Sequence, residues 1–91
     1  MQFEWDPAKA ASNLKKHGIS FEVAREVFED PDAVEAYDKE HSQTEARFIL
    51  IGIGANQVVV VIHTTRHHNV YRIISARPAS RIERRLYYEK D

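Results

Sequence analysis

The stretch Val58-Val59-Val60-Val61-Ile62-His63-Thr64 reads VVVVIHT and is β-branched at every position except His63. Cβ-branched side chains suit a pleated strand, and a run this dense does not alternate apolar with polar. It therefore predicts a strand covered on both faces and lying centrally in a sheet. Working outward, Ala46 to Ile53 reads as the preceding strand, with a turn over Gly54 to Gln57 between the two. A second turn over Arg66 to Asn69 leads into a strand from Val70 to Arg77, which Pro78 ends because it has no N–H for the ladder. A weaker strand, Ala33 to Tyr37, and a polar loop through His41 to Thr44 come before. Successive strands joined by short turns predict an antiparallel meander.

The first third of the chain carries helix punctuation. A short strand, Gln2 to Trp5, runs into Asp6-Pro7, where Asp6 can cap a helix and Pro7 fits its first position. Lys15, Lys16 and His17 complement the negative end of that helix, and Gly18 supplies a left-handed cap. Ser20 caps a second helix with Phe21, Ala24, Val27 and Phe28 at helical spacing, broken at Asp30-Pro31. Ser80 and Glu83 form an S-x-x-E capping box for a last helix from about Arg81 to Glu89, with Ile82, Leu86 and Tyr87 expected to face inward. The order β-α-α-β-β-β-β-α predicts an α+β fold, its helical hairpin and C-terminal helix lying against one face of a twisted antiparallel sheet and the other face free.

At 91 residues the chain fits one domain, residues 1–91. Its 43% hydrophobic and 30% charged content is that of a globular protein rather than a disordered one. The chain has no cysteine, which excludes disulfides and thiolate metal sites. The start MQFEWDPAK has no signal-like apolar stretch, and the run Val58 to Ile62 is far short of the roughly 18 residues a membrane span needs, so the expected location is cytoplasmic with no membrane role. The formal net charge of -1 conceals an asymmetry. Residues 1–45 carry 5 Lys/Arg against 11 Asp/Glu, whereas residues 46–91 carry 8 against 3, seven of the eight being arginine. Arginine's planar fork suits phosphate, so the asymmetry points to an anionic partner, although acidic helices neutralising a basic sheet would give the same pattern.

No P-loop, G-x-G-x-x-G, H-E-x-x-H or G-x-S-x-G string occurs. His63, His67 and His68 are close in sequence but have no acidic residue nearby, a poor metal set. The last strand says more. Period 2 places Tyr71, Ile73, Ser75 and Arg77 on one face and Arg72, Ile74 and Ala76 on the other, so one arginine should meet the helices and need a carboxylate, Glu45 or Asp38 for Arg72. Arg77, Arg81 and Arg84 should converge near the N-terminus of the final helix, whose unpaired N–H groups favour an anion. Structural roles compete: Arg81 and Arg85 can line a solvated helix face or pair with Glu89, and Lys16-His17 can serve only the helix end.

Taken together, FEWDPAKA, NLKKHGISFEVAREVFEDP, the pair Glu45 and Arg47, RIISAR at Arg72 to Arg77, and ERRLYYE resemble the BrnT family over nearly the whole chain. The resemblance implies a type II toxin-antitoxin toxin with a fold like that of RelE-type ribonucleases. It also implies cleavage of an RNA substrate that arrests translation, and a hetero-oligomer with a BrnA-type antitoxin that reaches operator DNA only as the complex. Carried over motif by motif, it marks Lys16, His17, Glu45, Arg47, Arg72, Arg77 and Tyr87 as catalytic candidates, and Ser75 and Arg84, with Glu83 beside them, as RNA-binding ones; Arg81 joins the RNA-binding set through its place beside Arg77 and Arg84.

A ribonuclease working without metal or other cofactor must deprotonate a 2'-hydroxyl, stabilise a phosphorane and protonate the leaving 5'-oxygen. His17 or Glu45 could be the base, Arg47, Arg72 or Arg77 the clamp, and Lys16, His17 or Tyr87 the acid. The rivals are a non-enzymatic module on the same scaffold that inhibits a protein or nucleic-acid target by occupancy, and an inactive remnant that only titrates its antitoxin.

Overall fold

The computed structural model describes residues 1–42, 44–67 and 69–89. Its elements are β1 (Gln2–Glu4), α1 (Pro7–His17), α2 (Phe21–Val27), β2 (Val34–Tyr37), β3 (Phe48–Gly54), β4 (Gln57–Arg66), β5 (Val70–Pro78) and α3 (Arg81–Tyr88). The local signals act as their chemistry dictates. The Asp6 carboxylate accepts from the Ala8 N–H at 2.9 Å, Gly18 adopts φ 73° and donates to the Leu14 carbonyl, and the Ser20 hydroxyl accepts from Val23 N–H at 3.0 Å. Ala55 and Asn56, at φ 50° and 63°, make the tight β3–β4 turn, whose twist matches that of the strands it joins.

The strands form one sheet in the order β1-β5-β4-β3-β2, with β4 at its centre. Val58 to Val61 are all buried because each face of β4 meets its own core. Ile19, Phe21, Ala24 and Val27 of the hairpin pack on Leu50, Val59, Val61, Ile73 and Ala76. Val58, Val60 and Ile51 pack on Ala79 and Tyr87. The final helix therefore lies on the face opposite the hairpin, not beside it as expected. A central strand apolar on both sides leaves a second face that needs cover, and only Ala79 and Ser80 separate β5 from α3.

Three further expectations are corrected. The sheet is mixed, since β1 runs parallel to β5 with Glu4 opposite Arg72; a three-residue strand whose partner lies at the far end of the chain carries no local signal of direction. Tyr87 alone anchors α3, while Ile82 and Leu86 are 72% and 55% exposed. Lastly, the β4–β5 register jumps from Ile62↔Ser75 to His63↔Ile73, leaving Ile74 as a bulge. The extra residue moves Ala76 onto the hairpin face with Tyr71 and Ile73, and leaves Arg72, Ser75 and Arg77 together on the other face. Neither arginine points at the hairpin.

Candidate active site

The site is built where the Ile74 bulge meets the end of α1. Beyond Arg72, β5 has no strand on its outer side, because β1 pairs only with Val70, Tyr71 and Arg72. The side chain of Asn13 fills that place: Nδ2 donates to the carbonyls of Ile19 and Ala76 at 2.9 and 2.8 Å, and Oδ1 accepts from Ala76 N–H at 3.1 Å. This seats the last turn of α1 against the free edge. Lys16 and His17 then line a cleft with Lys9, Ser12, Ile74 and Ser75.

A second cleft, lined by Asp38, His41, Arg47, Ile62, Ile74 and Ser75, meets the first at the bulge. Lys16 and His17 thus line one of the two clefts that share Ser75, and Arg47 lines the other. Arg47 is loosely held for a guanidinium. Its Nη2 lies 3.8 Å from Glu45, whose other carboxylate oxygen is 3.7 Å from Arg66, and its Nε is buried with no hydrogen-bond partner. The Arg47 side chain is 32% exposed and holds only that one long ion pair, which suits its guanidinium to an incoming phosphate.

Arg72, Arg77 and Arg84 are committed. Arg72 donates to Glu4 at 2.8 Å, rather than pairing with Glu45 or Asp38, because parallel β1 brings Glu4 alongside it. Arg77 forms a two-pronged pair with Glu83, both bonds 2.7 Å. That hydrogen-bonded pair draws the Glu83 carboxyl down to about 2 and raises Arg77 further. Glu83 also accepts from Ser80 N–H, and the Ser80 hydroxyl accepts from Glu83 N–H, so the start of α3 is capped by its own carboxylate rather than offered to an anion. Arg84 donates to the Ala79 carbonyl at 3.1 Å, and Arg81 stands exposed in the first turn of α3.

Tyr87 lines neither cleft. It is buried and donates to Asp30 at 2.5 Å, a bond that pushes its hydroxyl up to about 12. His63 is enclosed by Phe28, Phe48 and Tyr71, and burial lowers it to about 4. His67 sits in the β4–β5 turn at φ 53°, and His68 lies outside the described residues. Among the described residues no three His, Asp or Glu side chains gather as a metal cage. No helix among them is long and apolar enough to cross a membrane. Sequence reasoning missed two contributors, Asn13 and the pair Asp38 and His41. For the second, the D-x-x-H spacing was the available signal.

The strand bulge, the α1 end and the facing arginine all fall within residues 5–83, which match the family model for the ribonuclease toxin BrnT of type II toxin-antitoxin systems. The chain belongs to the BrnT family. The fold is similar to the crystal structure of the Brucella abortus ribonuclease toxin BrnT, with a TM-score of 0.71 and 28% identity over 89% of this chain and 99% of that one. No curated protein matches the chain. The BrnT match ends at Glu83, so Arg84 and Tyr87 lie beyond it. As a type II toxin family, BrnT implies an antitoxin partner and an RNA target.

Proposed function

We propose that this BrnT-family chain is itself an endoribonuclease that cuts RNA by attack of a ribose 2'-hydroxyl on the adjacent phosphate, and that the clefts meeting at Ser75 are its active site. The observation that carries this reading is that Lys16 and His17 line one cleft and the loosely paired guanidinium of Arg47 lines another, with Ser75 common to both. An imidazole and an ammonium can transfer protons, and an arginine can hold the charge that grows on the phosphorane. These groups supply all three requirements of the reaction, which is why the chemistry is assigned without a metal. Glu45 acts through Arg47 and Arg66 by aligning them, and Ser75 offers its hydroxyl to a phosphate oxygen. Arg72 and Arg77 lie on the same sheet face, each already paired, and add positive potential along the RNA path with Arg81 and Arg84.

RNA cleavage in the cytoplasm would arrest translation. The antitoxin is proposed to be BrnA-type, to cover the clefts in a hetero-oligomer and to carry the toxin to operator DNA, and the α+β fold is proposed to be RelE-like. The test is an RNA oligonucleotide with a single 2'-deoxy nucleotide at the cut position. The all-ribose strand should yield 2',3'-cyclic phosphate and 5'-hydroxyl ends, and the substituted strand should stay intact. Cutting at the deoxy position would rule out 2'-hydroxyl attack.

A further inference from the structure

The segment between β2 and β3 holds a group that the assignments above do not use. Asp38 follows β2 directly, and its N–H donates to the Arg47 carbonyl at 2.8 Å, which carries the β2–β3 pairing one step past the strands. Its carboxylate accepts from the His41 N–H at 3.4 Å and lies 3.1 and 3.0 Å from His41 Nδ1 through its two oxygens. Ser42 braces the same loop, donating its hydroxyl to the Asp38 carbonyl and accepting from Arg47 N–H at 2.9 Å. An ionised carboxylate can only accept, so Nδ1 carries the hydrogen and Nε2 is the basic nitrogen. The imidazole is 65% exposed while Asp38 is only 12% exposed, so the carboxylate is sheltered and the ring faces solvent. His41 lines one cleft with Arg47 and Thr44 and another with Arg47, Ile74 and Ser75.

A histidine with one nitrogen fixed by a sheltered carboxylate, in an exposed imidazole that lines the same clefts as Arg47, has the arrangement of a proton-transfer group. We propose that His41 is the catalytic base of the RNA cleavage, with Asp38 as its positioning residue. It rests on the ribonuclease reading above and deepens it by assigning the base. Nε2 takes the 2'-hydroxyl proton as the bond from the 2'-oxygen to phosphorus forms. The bond from phosphorus to the 5'-oxygen then breaks, and that oxygen takes a proton from the His17 imidazolium of the adjoining cleft. Asp38 stabilises the imidazolium formed on His41. Solvent returns one proton to His17 and removes one from His41, so the cycle closes with no other reactant.

The experiment uses the purified full chain and a long structured RNA in excess EDTA. His41→Ala should lower kcat on the order of 100-fold or more, as loss of a positioned base does. Added imidazole should restore part of that loss, which no purely structural role would produce. Asp38→Asn should lower kcat with KM unchanged. Unaltered thermal melting of both variants is the control for folding. Cleavage by His41→Ala within about threefold of the parent chain, against the loss a positioned base predicts, overturns the proposal and leaves the ribonuclease reading standing. A loss that imidazole does not restore overturns it too. If the parent chain cuts no RNA, the reading beneath the proposal fails and the proposal falls with it.

Discussion

The side-chain amide of Asn13 serves both backbone groups of Ala76, donating to the carbonyl at 2.8 Å and accepting from the N–H at 3.1 Å. It does for the bare half of β5 what a neighbouring strand would do, from a residue that is itself buried. Asn13→Ala takes the side-chain partner from the Ala76 carbonyl and N–H at the edge of β5 and from the Ile19 carbonyl between α1 and α2. It should cost about 2–4 kcal/mol in denaturant unfolding. Because the same contact seats Lys16 and His17, cleavage should fall as well, even at temperatures where the variant stays folded. Asn13→Asp keeps the acceptor but loses the donor, and it should be no better than alanine.

Glu83 joins the capping box to Arg77, so Glu83→Gln should destabilise the chain by about 1–2 kcal/mol, read as a shift in the urea midpoint with unchanged slope. Its carboxyl titrates near 2 in the fold, below its usual value of 4.5. The unfolded chain therefore takes up this proton first as pH falls. The contribution of Glu83 is complete above about pH 4.5 and is lost as pH drops toward 2, and the glutamine variant should lack that dependence.

His63 gives the opposite kind of site, a base kept neutral by burial. It is 1% exposed between aromatic rings, with no hydrogen bond to either nitrogen and the half-exposed Glu35 carboxylate 3.7 Å away. Its value in the fold, about 4, lies below the ordinary 6.5, so the unfolded state binds the proton first. Stability should be full above about pH 6.5, fall as pH drops toward 4, and level off below, a loss of up to about 3 kcal/mol. His63→Phe should flatten that slope in urea melts taken across the range.

Ile82 and Leu86 touch little of the core, although their i,i+4 spacing reads as an inward stripe. Each alanine variant should move the unfolding free energy by less than about 0.5 kcal/mol, whereas Tyr87→Ala, which empties the anchor of α3, should cost about 3 kcal/mol. Equal costs at the three positions would mean that α3 packs through the stripe after all.

What the sequence displays are features whose cause is local. Asp6-Pro7, Gly18, Ser20 and the pair Ser80 and Glu83 mark helix ends because each acts within a turn of its own position, and Val58 to Thr64 announces a strand covered on two sides. The misplacements within the sheet come from partners distant along the chain or from a one-residue slip. Nothing near Arg72 signals Glu4, since parallel pairing with β1 brings the two together. The bulge at Ile74 contains no glycine, yet it reverses the faces assigned to Ser75, Ala76 and Arg77. Asp38 and His41 are within reach of local reasoning, three residues apart, but the sequence assigns Asp38 to Arg72 and His41 to a polar loop.

The central claim, that an open Arg47 rather than the paired Arg77 completes a metal-free ribonuclease site, is tested most directly by incubating the purified chain with a long structured RNA in excess EDTA. The parent, Arg47→Ala and Arg77→Ala would be read side by side on a gel, with melting curves for each. Cleavage by the parent that survives chelation should drop on the order of 100-fold in Arg47→Ala at unchanged melting temperature, as for loss of an oxyanion donor, while Arg77→Ala should chiefly lose stability. Cleavage that stops on chelation, or that persists undiminished in Arg47→Ala, would contradict the account.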